Sequence, residues 1–136
     1  MSANDRGAME GETADRLNLL GLSPTELQAE VGRLVGWVRW LQRQDVDVPT
    51  CWVVHGFVVR LLQALRLYHL SVASPFEAIA WWRSVLECMA RPEVDRLRRH
   101  DADHGWTDLE LDRGQVSEAD VLVKFLTAQQ AVEESR

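Results

Sequence analysis

The sequence predicts an all-α, single-domain bundle of four to five helices, and three observations carry that expectation. Apolar residues recur at spacings of three and four over several stretches, the period of a helix face. Two of those stretches open with a Ser-Pro-x-Glu capping signature, at Ser23 and Ser74. No stretch shows the strict apolar-polar alternation of a half-buried strand. A length of 136 residues suits one domain with a real core and is too short for two.

Residues 1–20 hold few apolar anchors among many small and charged residues, too few to repay the entropy of ordering a chain. They are expected to form a disordered acidic tail, with the helical domain spanning 21–136. In Ser23-Pro24-Thr25-Glu26 the serine oxygen can accept from the amide three residues on, and proline suits the first helical position. The helix that follows carries Leu27, Val31, Leu34, Val38 and Leu41 on one stripe, widened by Trp37 and Trp40. A heptad seam of this kind serves either packing inside the chain's own bundle or a homodimer interface.

Asp45 to Pro49 breaks the pattern, and Thr50 is placed to cap a second helix reaching about Leu70. That helix is apolar on most sides, as the central element of a bundle should be, interrupted by His55, Arg60, Gln63, Arg66 and His69. Ser74-Pro75-Phe76-Glu77 opens a third helix, whose spacing predicts an inner face of Ile79, Trp82, Val85, Leu86 and Met89, with Trp81 at its edge. Arg91-Pro92 ends it. A short basic helix from Pro92 to about His100 follows, then a turn-rich stretch over 101–116. Ser117 caps a last helix with Val121, Leu122, Phe125, Leu126 and Val132.

The formal charge of −6 argues against non-specific nucleic-acid binding by the chain as a whole. Its distribution is uneven, with seven arginines against four acids in residues 51–99 and nine acids against three bases in residues 100–136. Cys51 and Cys88 lack metal-type spacing and read as buried, reduced thiols. No apolar run approaches the roughly 18 residues of a membrane span, and the N-terminus is polar and acidic, so a cytoplasmic location is expected.

Candidate chemistry is sparse. His100-Asp101-Ala102-Asp103-His104-Gly105 sets two imidazoles four residues apart, which could hold zinc from one helix face. The same stretch lies where the basic helix gives out before a glycine, and a helix end is the favoured reading. Cys51 and His55, also four apart, fit a packed thiol and a hydrogen-bonded imidazole on an apolar helix better than a nucleophile and its base. GxSxG, P-loop, GxGxxG and HExxH motifs are absent. The chain is therefore expected to be no enzyme and to need no cofactor.

Six tryptophans dominate the aromatic content. From residue 50 to 107 the chain resembles an uncharacterised domain family of actinobacterial plasmids and phages with a Trp-Trp-Arg motif. The resemblance rests on Cys51-Trp52 with His55, Arg60-Leu61, Gln63-Ala64-Leu65, Trp81-Trp82-Arg83, and Asp101-Ala102-Asp103-His104-Gly105-Trp106. It implies a mobile-element context and transfers no biochemical role. Tryptophan beside arginine is the composition of binding hot spots. The resulting expectation is a non-catalytic interaction or accessory protein, its partner another protein, with Trp81, Arg83, Arg91, Arg96, Arg98 and Arg99 as the candidate surface. The alternatives are a small DNA-binding accessory protein using the Arg91 to Arg99 patch, and a metal-dependent enzyme at His100 and His104.

Overall fold

Both Ser-Pro-x-Glu signatures start helices in the computed structural model, which describes residues 19–100 and 117–134. The described residues form five α-helices and no strand: α1 (Pro24–Arg43), α2 (Gly56–Leu70), α3 (Pro75–Met89), α4 (Pro92–His100) and α5 (Glu118–Glu134). Short 3₁₀ turns lie at Leu19–Gly21 and Trp52–Val54. This is the expected all-α bundle.

Ser23 Oγ accepts from the Glu26 amide at 3.3 Å, and Ser74 Oγ from the Glu77 amide at 3.2 Å. Glu77 completes its box by accepting from the Ala73 amide at 2.9 Å. At the other end of α1, Asp45 takes a left-handed backbone with φ of 64°, a conformation that aspartate tolerates better than most residues. The chain then turns towards the core, where Val46 and Val48 are buried.

Leu27, Val31, Leu34, Val38 and Leu41 are all buried within the chain, against α5 and α2. Of the two readings of this seam, packing inside the chain's own bundle holds and the possible homodimer does not, because these side chains already fill the core. Gly32 and Gly36 occupy the exposed side of the same helix, and a Cβ built at either meets nothing within 4 Å. Glycine there costs backbone entropy and has no packing reason to remain. Gly32→Ala and Gly36→Ala should each stabilise the protein by about 0.5–1 kcal/mol. Thermal melts of the two variants check this.

Three expectations about boundaries and faces change. Leu19 is buried and Gln130 Nε2 donates to the carbonyls of Leu20 and Leu22, so the packed domain includes residues placed in the tail. The second helix begins at Gly56 and not at Thr50, because His55 is extended and a separate turn carries Trp52. That break lets Trp52 be wholly buried while its Nε1 donates to Glu118 Oε2 on α5 at 2.9 Å. Cys51 and His55 therefore do not share a helix.

The third change is a rotation of α3. Its buried residues are Trp81, Val85 and Met89, whereas Ile79 is 58% and Leu86 63% exposed. The sequence offers two apolar stripes on this helix, and the structure buries the one containing Trp81. On α5, Leu122 and Leu126 are buried as expected, but Val132 faces solvent.

Candidate interaction surface

α3 lies along α2 and turns onto α4 at its C-terminal end. Its inner face meets α1 through a cluster of rings. His69 of α2 stacks on Trp81 at 4.2 Å between centroids and on Trp40 at 5.2 Å, with interplanar angles of 22° and 16°. Trp37 Nε1 donates to His69 Nδ1 at 3.1 Å. Trp81 Nε1 donates to the Leu65 carbonyl at 2.8 Å, so the one polar atom of this buried ring is satisfied. Trp82, half-buried, meets Trp81 edge-on at 4.7 Å and lies 6.1 Å from Trp40.

The hydrogen bond from Trp37 requires an unprotonated Nδ1, and burial lowers the pKa of His69 below its ordinary 6.5. The unfolded chain therefore takes up the proton first as pH falls. Stability from this group is complete above 6.5 and is lost progressively below it, until the folded imidazole also protonates. His69→Phe keeps a stacked ring and removes the titration. The drop in melting temperature between about pH 7.5 and pH 5 should be smaller in this variant than in the wild type.

Beneath the rings, a second polar group ties α1 to α2. Glu30, Gln63 and Arg66 are buried. Gln63 Nε2 donates to Glu30 Oε1 at 2.9 Å, Arg66 Nε donates to Gln63 Oε1 at 3.1 Å, and the Arg66 guanidinium pairs with Glu30. Arg33, largely exposed, holds the other oxygen of Glu30 at 3.1 Å. Sequence reasoning marked Gln63 and Arg66 only as interruptions and missed Glu30. The available signal was their placement: Glu30 directly precedes Val31 of the seam, and Gln63 and Arg66 lie one turn apart on a helix otherwise almost wholly apolar.

The five candidate surface residues whose side chains are described do not converge. Trp81 is 1% exposed and belongs to the core, which corrects its assignment to a binding surface. Arg83 is exposed on the outer side of α3. Arg91 pairs with Glu93 at 3.5 Å, and Arg96 is exposed. Arg98 is a structural clamp, donating to the carbonyls of Asp47 and Met89 and pairing with the Asp47 carboxylate at 3.1 Å. It joins the α1–α2 connection to the end of α3. The side chains of Arg99 and His100 lie outside the described residues, as do Asp101, Asp103 and His104 of the metal reading. Cys88 is half-buried, and burial pushes its thiol pKa up. No described helix is long and apolar enough to cross a membrane.

What the inward rotation of Trp81 leaves outside is an apolar helix face. Phe76 is 85% exposed, and with Ile79, Ala80, Arg83, Leu86 and Glu87 it forms one stripe along the outside of α3. The fold and this surface define the class: a small helical bundle in which, among the described residues, α3 presents an exposed apolar face. Compared with protein-family models, curated proteins and solved structures, the chain gives no match.

Proposed function

We propose that this is a non-catalytic protein-interaction protein whose docking surface is the outer face of α3. The observation that carries the reading is the exposure of Phe76, Ile79 and Leu86 along one side of a single helix. Scattered surface leucines are ordinary, whereas a contiguous apolar stripe edged by charge is the usual mark of a binding site. The aromatic cluster behind it supplies a rigid support. The resemblance to plasmid- and phage-associated proteins extends the proposal to an accessory role in a mobile element. Engagement of Arg98 within the fold leaves the arginine patch less free for phosphate contacts, so a protein partner is favoured over DNA.

A photo-reactive benzophenone side chain at Ala80 tests the reading, with the same group at Gly32 on the exposed side of α1 as control. In native-host extract, position 80 should give discrete covalent adducts that position 32 does not. Phe76→Ser, Ile79→Ser and Leu86→Ser together should abolish them while the melting temperature is retained. Absence of adducts at position 80, or equal labelling at both positions, would overturn the proposal.

A further inference from the structure

Arg83 and Glu87 stand one turn apart on the outer stripe of α3, and neither makes an ion pair among the described residues. Any occupant of this face must answer both charges as well as the apolar residues around them. Resting on the reading of this face as a docking surface, we infer that its occupant is a second copy of the chain, packed antiparallel through the outer face of α3 about a twofold axis at the level of Val85 along the helix.

The register follows from the spacing. Arg83 and Glu87 are equidistant from Val85, so each Arg83 faces Glu87 of the second copy and two reciprocal ion pairs flank the axis. Leu86 meets Leu86 of the second copy with an axial offset of about 3 Å, two residues at about 1.5 Å each. Ala80 faces Ala90, which lets the backbones approach closely. Parallel packing would set Arg83 against Arg83 and Glu87 against Glu87, and like-charge repulsion opposes it.

The same register gives Phe76 a seat. Nine residues from the axis, it lies about 13 Å along the helix, past the C-terminal end of α3 in the second copy and near the corner between α3 and α4. A cavity of about 350 Å³ lies at that corner, lined by Phe57, Arg60, Leu61, Arg91 and Glu93. Phe57 and Leu61 offer it an apolar wall, and the two guanidinium groups can stack on an aromatic ring. Phe76, the most exposed large apolar side chain among the described residues, and the cavity answer one another twice in an isologous contact. One helix pair with two seated rings is near the lower end of specific interfaces, about 1,000–1,200 Å².

Sedimentation velocity on the purified full chain, from about 1 to 500 μM, tests this directly. The expected result is a monomer that becomes a dimer as concentration rises. Arg83→Glu and Glu87→Arg should each weaken the dimer about tenfold or more, and combining them should return it to near wild-type affinity, because the reciprocal pairs are then reversed and not broken. Phe76→Ala should weaken it independently of the charges. Circular dichroism melts on every variant separate lost association from lost folding. A monomer at all concentrations, or a dimer indifferent to the charge exchange, overturns the inference. A monomer whose position 80 still yields adducts with other proteins in extract overturns only the second copy and leaves the docking surface standing.

Discussion

Arg66→Ala is expected to destabilise the protein by about 3–5 kcal/mol, because it leaves the Glu30 carboxylate buried without its main counter-charge. Arg33 alone cannot compensate, since it reaches one oxygen from a largely exposed position. Total stabilities are about 5–15 kcal/mol, so a single residue would remove a large share. In a domain of this size the melting temperature should fall by roughly 10–20 °C. Replacing the whole network by apolar side chains of similar size, Glu30→Leu with Gln63→Leu and Arg66→Met, should cost far less. With no charge left to bury, a buried pair and its hydrophobic replacement are often nearly equal in stability. A triple variant as unstable as Arg66→Ala would show that the network's geometry, and not its uncompensated charge, decides the outcome.

Trp81→Ala should cost about 3–5 kcal/mol, and Trp82→Ala clearly less. Trp81 is fully enclosed, stacks on His69 and donates to Leu65, so its loss opens a cavity at the junction of three helices. Trp81→Phe isolates one component, keeping much of the ring and removing the donor. It should lose about 1 kcal/mol for the hydrogen bond in addition to the smaller packing deficit. Thermal and urea melts of the three variants rank them. Trp82→Ala as damaging as Trp81→Ala would mean that the half-exposed ring is as important to the core as the enclosed one.

How legible these features were differs from element to element. The all-α class, the start of α1 at Ser23 and the start of α3 at Ser74 follow from local chemistry. A serine oxygen, a proline at the first position and a glutamate three residues on act within a few residues, and no distant part of the fold is needed to interpret them. The α1 seam was equally legible, since a stripe of five apolar residues, widened by Trp37 and Trp40, leaves a single face to bury. Whether that face met its own chain or a second one was not a local matter, and the packing of α5 and α2 against it decided the point.

α3 shows where local information ends. Its sequence has two apolar stripes, one through Trp81, Val85 and Met89 and one through Phe76, Ile79 and Leu86, and spacing alone pointed to a face through Ile79, Trp82 and Leu86 that the structure leaves partly exposed. The choice was made by partners far along the chain: the Leu65 carbonyl that accepts from Trp81, and His69 held in place by Trp37. For the same reason the pairing of Glu30 with Arg66, 36 residues later, could not be read from spacing. The sequence by itself determined the all-α class and where α1 and α3 start, because capping and periodicity are short-range. Only the tertiary structure decided which side of α3 is buried, and with it which apolar side chains are left to meet a partner, because that choice depends on hydrogen-bond and stacking partners supplied by other helices.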